Sequence, residues 1–292
     1  MIVTLKNECL TVTVDTLGAQ QLSVTAANGT DYLWYGDPDH WKGRAPHLFP
    51  TVGRLRNGRA TCARGEINMP QHGFARISEF TVESVSDTSV TMLLKDSEAT
   101  LSQYPYHFEF RVTHSLCGNA VTTTYRVTNT DTEVMPFGVG GHPGFRLPLV
   151  EGDSFEDYAI EFEYAETADC PQVDLTSGLI MQNVRNRMLT DSNRFDLRHP
   201  LFRGDALIFD TLRSRKVRLV SGKSGHGVEM VFADFPIIAF WTPPTDSPFI
   251  CLEPWVTMAT GTDEDDVFEH KQNMQSAAPG ESKEYTYTIS VF

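Results

Sequence analysis

Hydrophobic and polar side chains alternate along much of the chain, with the two-residue period of a half-buried β-strand. The clearest alternation lies near the two ends of the sequence, at Leu10, Val12 and Val14, and again at Tyr285, Tyr287, Ile289 and Val291. Between them, shorter apolar stretches typical of strands occur at 158–164, 206–209, 217–220, 228–232 and 237–241. We therefore expect a chain built mainly from β-strands.

Turn signals indicate that many of these strands are joined as hairpins. Gly118-Asn119 separates the apolar segments 107–116 and 121–127, and a second hairpin is expected over 80–94 with its turn near Ser86-Asp87. Helical periodicity is confined to 97–103 and 265–273, and no regular βαβ series is present. The pattern predicts an all-β fold, with residues 1–292 forming a single domain: a large antiparallel β-sandwich of two long sheets.

Composition narrows the class of protein. With 292 residues, of which 40% are hydrophobic, the chain is long enough to bury a large core. No apolar run approaches the roughly 20 residues of a membrane span, and no signal peptide is visible, so we expect a soluble, cytoplasmic protein. The five cysteines are widely spaced, without a Cys-x-x-Cys pair, which argues against a disulfide framework and a cysteine zinc site.

The formal net charge of −14 argues against nucleic acid and anionic membranes as partners. The charge is unevenly distributed, because residues 42–76 carry seven Lys or Arg and one acid, Glu66, whereas residues 262–269 carry five acids and no base. Two interpretations remain open at this stage. The segments are either solvated loops of opposite sign, or the basic one forms a positive wall for an anionic or hydroxyl-rich ligand.

Four short motifs with polar side chains interrupt the strand pattern, and each of them contains glycine or proline. The segment 136–145 packs glycines and prolines around His142, and an apolar strand runs directly into Glu253, which is followed by Pro and Trp. A carboxylate at the end of a buried strand costs free energy unless it forms an ion pair or takes part in the function of the protein. The other two motifs are Phe-Pro-Thr-Val-Gly-Arg54 and Gln-His72-Gly-Phe74-Ala-Arg76.

Taken together, these motifs supply two imidazoles, a carboxylate, at least one guanidinium and several aromatic rings. Glutamate is suited to act as a base and histidine as an acid, while arginine offers fixed donors and aromatic rings stack on a sugar face. The set therefore fits general acid–base chemistry on a neutral polyol. Taken alone, His142 is equally consistent with a structural turn, and Glu253 with a salt bridge at a sheet edge.

Other chemistries have weaker support. His72, His142 and Glu253 could ligate a metal, although they are far apart in sequence and no His-x-His pair occurs. Gly-x-Ser-x-Gly and phosphate-binding glycine loops are absent, which disfavours a serine hydrolase and a nucleotide enzyme. A glycosidase would need a second carboxylate beside Glu253, for which Asp205 and Asp210 are candidates.

The order Arg54, His72, Gly-His142-Pro-Gly-Phe and Leu-Glu253-Pro-Trp resembles the aldose 1-epimerase (galactose mutarotase) family, and most closely its LacX-like bacterial branch. The likeness covers nearly the whole chain. It implies a β-supersandwich fold and an isomerase that needs no metal and no organic cofactor. It also implies that Glu253 is the general base and His142 the general acid, facing each other across a hexose-sized hollow.

The resemblance further implies that Arg54, His72 and Asp205 bind the substrate. Asp205 is matched only by its place before an apolar strand, and Asp210 remains an alternative. Phe74 and Trp255 are expected to stack on the sugar because they adjoin the motifs.

The expected reaction interconverts the α and β anomers of a small-molecule sugar through ring opening, as part of carbohydrate and hexose metabolism. Two alternatives stay open. One is a hexose-6-phosphate 1-epimerase, which the basic segment 42–76 would suit. The other is a carbohydrate-binding protein without catalysis, which would use the aromatic and arginine side chains but not the pair of Glu253 and His142.

Overall fold

The computed structural model describes all 292 residues, and twenty-two β-strands account for most of its regular structure. In chain order they are β1 (Ile2–Lys6), β2 (Leu10–Asp15), β3 (Gln21–Ala26), β4 (His47–Leu48), β5 (Arg59–Cys62), β6 (Gly65–Asn68), β7 (Thr81–Val85), β8 (Ser89–Lys95), β9 (Phe108–Cys117), β10 (Ala120–Asn129), β11 (Met135–Phe137), β12 (Gly140–Gly141), β13 (Gly144–Arg146), β14 (Tyr158–Asp174), β15 (Leu179–Asp196), β16 (Leu207–Phe209), β17 (Lys216–Ser221), β18 (Gly227–Val231), β19 (Ile237–Trp241), β20 (Phe249–Trp255), β21 (Gln275–Ala277) and β22 (Ser282–Val291).

Helical structure is sparse. The segment expected to be helical at 97–103 contains the single α-helix, α1 (Glu98–Leu101), whose first turn is capped by a Ser97 hydroxyl that accepts from the Thr100 amide. The second expected segment, 265–273, forms only the 3₁₀ turn Phe268–His270. No helix combines the length and the apolar character that crossing a membrane would require. The other 3₁₀ turns are Arg56–Gly58, Ala75–Ile77, Phe155–Asp157 and His199–Phe202.

The largest sheet has nine strands in the order β15-β14-β17-β18-β22-β10-β9-β8-β7, with every neighbouring pair antiparallel. The hairpins expected from the turn signals are confirmed as β7–β8 and β9–β10. Along β10 every second residue is buried, which is the alternation that the sequence shows there.

A second, six-stranded sheet has the order β16-β19-β20-β12-β4, with β13 also paired to β20. Aromatic side chains of the two sheets meet between them, as where Phe162 of β14 contacts Phe240 of β19 with ring centroids 6.1 Å apart. The core that they share is a cluster of 64 buried hydrophobic residues. The predicted all-β antiparallel sandwich is thereby confirmed.

The long hairpin β14–β15 is the main feature that the sequence pattern did not reveal. Only the start of β14 was expected, although the two strands run for 17 and 18 residues. Most of β15 is exposed or partly exposed, and its pairing with β14 shifts register at four places. An edge strand with two solvated faces has no reason to alternate apolar and polar residues, so periodicity could not detect it.

Candidate active site

Glu253 is held by β20, at the centre of the six-stranded sheet. Because side chains alternate along a strand, Ile250 and Leu252 enter the main core, while Cys251 and Glu253 point to the opposite face. Pairing to β19 on one side and to β12 and β13 on the other fixes the backbone of this strand. The carboxylate therefore stands on a rigid element in the middle of a sheet.

His142 directly follows the two-residue strand β12. Its amide donates to the Pro46 carbonyl (3.0 Å), and the Gly144 amide donates to the Arg44 carbonyl (2.7 Å). Gly141 is required by close packing, because a Cβ there would lie 2.9 Å from the Tyr287 ring. The glycine-rich segment thus presses a short strand against the core and directs His142 outward.

The two side chains meet, with His142 Nε2 3.2 Å from Glu253 Oε2. The expectation that they face each other across a hollow was wrong, because they lie side by side in one wall. Both are almost fully buried, with 8% of His142 and 1% of Glu253 exposed. The contact does not have hydrogen-bond geometry, so the interaction is mainly electrostatic.

Burial sets the protonation of this pair. It raises the pKa of Glu253 well above its usual range, and Asp205 raises it further, whereas the Trp255 indole opposes the shift. Burial lowers the pKa of His142 to about 3, and the positive charge of Arg76 adds to the effect. Desolvation therefore favours the neutral form of both groups, the protonated carboxyl and the unprotonated imidazole.

A cavity of about 750 Å³ opens onto the pair, a volume within the range of small-molecule sites. Six of the seven residues expected from the sequence to form the site border this cavity: Arg54, His72, His142, Asp205, Glu253 and Trp255. These residues come from distant parts of the chain, and the fold brings them around one space.

His72 lies next to the acid–base pair, with its ring 5.5 Å from that of His142. It adopts a left-handed backbone conformation (φ 67°), and its Nδ1 accepts a hydrogen bond from the Gly53 amide (3.1 Å). Burial lowers the pKa of His72 well below its usual range, as do the neighbouring His142, Arg76 and Arg54. A neutral ring that accepts at Nδ1 carries its proton on Nε2, which lies 3.2 Å from the Gln71 side-chain nitrogen.

Phe74 is the one predicted site residue that does not border the cavity. Its ring is buried in the main core and stacks on Phe108 with centroids 5.8 Å apart. The 3₁₀ turn Ala75–Ile77 begins immediately after Phe74, so this side chain turns inward although His72 faces the cavity. Stacking of Phe74 on a sugar is therefore incompatible with the fold.

Two tryptophans that sequence reasoning missed supply aromatic surface instead. Trp41 and Trp241 border the cavity together with Trp255. Trp241 ends the apolar segment that forms β19, but Trp41 lies in an irregular loop where no periodicity applies. A tryptophan in a polar stretch of Asp, His, Lys and Gly is the sequence signal that could have drawn attention to Trp41.

Asp205 and Asp210 occupy different environments. Asp205 borders the cavity in a left-handed conformation (φ 76°), which is unusual for a residue other than glycine. Asp210 is paired with Arg185, whose Nη1 lies 3.2 Å from Oδ2, and it does not border the cavity. Of the two aspartates, only Asp205 is placed to contact a ligand beside Glu253.

The rim of the cavity is positive. Lys42, Arg54 and Arg76 all border it, and none of them makes a salt bridge with a carboxylate. Arg54 donates instead to the Gln71 side chain (3.1 Å) and Arg76 to the Gln71 carbonyl (3.3 Å). In a chain with a net charge of −14, these three cations without acidic partners border the same cavity as Asp205 and Glu253.

Three groups capable of binding a metal lie together, since ligand atoms of His142, Cys251 and Glu253 are within 4.8 Å of one another. Burial raises the pKa of the Cys251 thiol well above its usual range, so the thiolate that binds metals well is disfavoured. Cys251 also packs with Trp34 and Phe249 in a small apolar cluster. We interpret the thiol as packing beneath the pair.

Sequence comparison places this geometry in a known context. The sequence model of the aldose 1-epimerase family matches residues 1–290. The chain belongs to the aldose 1-epimerase family. Two relatives from Lactococcus lactis subsp. lactis, the plasmid and chromosomal forms of protein LacX, are each 40% identical to it over the whole chain and 99% of their own length.

Solved structures of similar proteins agree with this assignment. A galactose mutarotase related enzyme from Lactobacillus acidophilus has 35% identity and a TM-score of 0.95, covering all of this chain and 97% of the other. A galactose mutarotase-like protein from Lactobacillus casei has 27% identity and a TM-score of 0.93, covering both chains completely. This member of the aldose 1-epimerase family therefore shares the galactose mutarotase-like β-sandwich.

Proposed function

We propose that this protein is a mutarotase that interconverts the α and β anomers of an aldose by general acid–base catalysis. The observation that carries the proposal is the contact of 3.2 Å between His142 and Glu253 at the wall of a cavity of about 750 Å³. The hydroxyl and the ring oxygen of an aldopyranose are bonded to the same carbon, C1. A base and an acid in direct contact can therefore reach both oxygens of one bound sugar.

In the proposed reaction Glu253 removes the proton of the C1 hydroxyl while His142 donates a proton to the ring oxygen. The bond between C1 and the ring oxygen breaks, which leaves a C1 aldehyde and a free hydroxyl. Rotation about the C1–C2 bond presents the other face of the aldehyde, and the ring closes with the two proton transfers reversed. No proton is gained or lost over the cycle.

The cycle needs the ionised form of the pair, which burial alone disfavours. The reaction needs a carboxylate at Glu253 and an imidazolium at His142, which differ from the neutral pair only by the position of one proton. Forming the charged pair changes no net charge, and the 3.2 Å contact then joins two opposite charges, so no uncompensated ion is buried. Sugar hydroxyl groups that donate to the carboxylate would favour the charged form when the cavity is filled.

The surrounding residues suit sugar binding. We assign Arg54 and His72 as donors to sugar oxygens, Asp205 as an acceptor from a hydroxyl, and Trp255 as a surface for the apolar face of the ring. All four border the same cavity as the acid–base pair.

The direct test replaces each member of the pair by a residue of similar shape that cannot transfer the proton. Glu253→Gln and His142→Asn should each lower the catalysed rate of anomer exchange by roughly 10²–10⁴-fold, the usual contribution of a positioned acid or base. The rate is followed by polarimetry or exchange NMR on anomerically pure aldoses. Either variant with a near-native rate would remove that residue from its role, and sugar binding by the wild-type protein without faster exchange would favour a binding protein instead.

A second candidate, a hexose-6-phosphate 1-epimerase, is favoured by the three cations without acidic partners at the cavity rim. A phosphate dianion would pair with such a cluster, and its attraction would weaken with salt. Comparing kcat/KM for glucose and glucose 6-phosphate separates the two candidates. If the substrate is phosphorylated, Arg76→Gln and Lys42→Gln should raise KM for the phosphate ester and leave that for glucose unchanged.

A further inference from the structure

The imidazole of His142 lacks the hydrogen bond that usually orients a histidine in acid–base catalysis. Such rings normally donate or accept at the second nitrogen, which fixes both their tautomer and their direction. Here Nε2 contacts Glu253, while Nδ1 is buried and makes no hydrogen bond with another residue. Another interaction must hold this ring in the direction that the reaction needs.

Ring packing supplies that interaction. The indole of Trp41 lies against His142 with centroids 4.9 Å apart and planes inclined by 26°, which is a stacked arrangement. Two other rings, those of His72 and Trp241, meet His142 edge-on at 5.5 and 5.8 Å. Only Trp41 therefore covers the face of the imidazole.

Trp41 itself is firmly placed. Its carbonyl accepts from the Trp34 indole N–H (2.7 Å), and its ring also stacks on Phe249 with centroids 5.5 Å apart. A Cβ on Gly43 would lie 2.4 Å from the Trp41 ring, so glycine is needed there to admit the indole. The loop that carries Trp41 is bound to both sides of His142, through the Pro46 and Arg44 carbonyls described above.

We propose that Trp41 is a positioning residue for the general acid, holding the His142 imidazole in direction and stabilising its protonated form through the indole face. An imidazolium within about 6 Å of an indole centroid gains cation–π stabilisation, which is larger when the site is desolvated. This matters because burial disfavours the imidazolium. The inference rests on the proposed role of His142 as general acid.

The other groups around His142 do not substitute for the indole. Glu253 attracts the imidazolium, whereas Arg76 repels it. The titratable or charged groups near this ring also include Cys251, His72 and Lys42. None of these three offers a flat apolar face, so the indole is the group whose removal isolates the stacking effect.

The test compares replacements of Trp41 in the full-length protein. Trp41→Leu should lower kcat for anomer exchange roughly tenfold, whereas Trp41→Phe, which keeps an aromatic face, should lower it by about threefold or less. Site-specific fluorination of Trp41 keeps its shape but weakens the charge on its face, and kcat should fall with each added fluorine. Fluorination of Phe155, which stacks on His199 with centroids 4.0 Å apart and does not border the cavity, is the matched control and should leave kcat unchanged.

NMR provides a readout that does not depend on activity. Stacking predicts an upfield ring-current shift of the His142 protons at neutral pH, which should be lost in Trp41→Leu and largely retained in Trp41→Phe. Equal losses of kcat in Leu and Phe, a flat fluorine series, or an unchanged ring-current shift in Trp41→Leu would each overturn the proposal. A wild-type protein inactive on every aldose would contradict the proposed function, and the NMR comparison would still decide the role of Trp41.

Discussion

The charge of Asp205 changes the pKa of a neighbouring carboxyl group. It borders the cavity beside Glu253, and its negative charge helps to raise the pKa of that buried carboxyl group. Asp210, nearby in sequence, is instead neutralised by Arg185 outside the cavity. The two aspartates therefore form a natural comparison between a group that acts on the site and a group that supports the fold.

Asp205→Asn should have two kinetic effects. Loss of the negative charge lowers the pKa of Glu253, so the base stays ionised to lower pH and the acidic limb of the kcat profile moves to lower pH. The neutral amide is a weaker hydrogen-bond acceptor than the carboxylate, so KM should also rise. The measurement is the rate of anomer exchange against pH, with saturating and limiting sugar.

Asp210→Asn is the control for this experiment. It should leave the pH profile and KM unchanged and lower stability instead, because Arg185 would lose its carboxylate partner. A shift of the acidic limb in Asp210→Asn equal to that in Asp205→Asn would contradict the assignment of Asp205 to the site.

The segment around His72 depends on a glycine that follows it. Gly73 has φ +71° and bridges to Phe49, and a Cβ at this position would lie 2.2 Å from the Phe49 carbonyl oxygen. That oxygen accepts hydrogen bonds from the amides of Phe74 and Ala75, so it cannot easily move away. The element that presents His72 is therefore fixed by backbone contact.

Gly73→Ala should destabilise the protein by about 3 kcal/mol or more, the sum of left-handed strain and steric overlap. Gly225→Ala is the matched control, because Gly225 has a similar φ of +76° but no atom within 4 Å of the position that an alanine methyl group would occupy. It should cost only about 1–2 kcal/mol. Urea unfolding measures both values, and equal losses would show that the contact with Phe49 is not limiting.

The sequence predicted the strands that bury one face in the core and expose the other to solvent. β9, β10 and β22 alternate because one face enters the core, and the polar motifs ending at His142 and Glu253 were recognisable because polar groups are costly in apolar strands. The hairpin β14–β15 was missed because β15 is largely exposed. Sequence adjacency was also misleading, since Phe74 neighbours His72 but turns into the core.

Beyond single elements, the molecule contains a polar network buried between its sheets. His47 of β4 and His114 of β9 both donate through Nε2 to the Ala19 carbonyl, at 3.0 and 2.9 Å. The other nitrogen of His47 lies 2.8 Å from the Tyr125 hydroxyl. Burial lowers the pKa of His47 well below its usual range and that of His114 to about 4, so both rings are neutral in the folded protein.

This network makes the whole protein sensitive to acid. Below the ordinary histidine pKa of about 6.5 the unfolded chain binds protons that the folded chain excludes, so the free energy of unfolding decreases as the pH falls. For His114 the loss runs from pH 6.5 to about pH 4 and amounts to about 3 kcal/mol. Most of this window lies above the pH at which carboxylates become protonated.

Urea unfolding between pH 6.5 and 4.5 therefore tests the network. The wild-type free energy of unfolding should fall steadily in this range. His114→Gln should be less stable at pH 7, but its free energy of unfolding should decrease less steeply with falling pH, by a difference of about one bound proton per molecule. His270→Gln is the control, because His270 is exposed beside Asp265, which raises its pKa and reverses the sign of its contribution. Since that variant keeps both buried histidines, its free energy of unfolding should decrease as steeply as that of the wild type. If His114→Gln also had the wild-type slope, His114 would already be protonated in the folded protein.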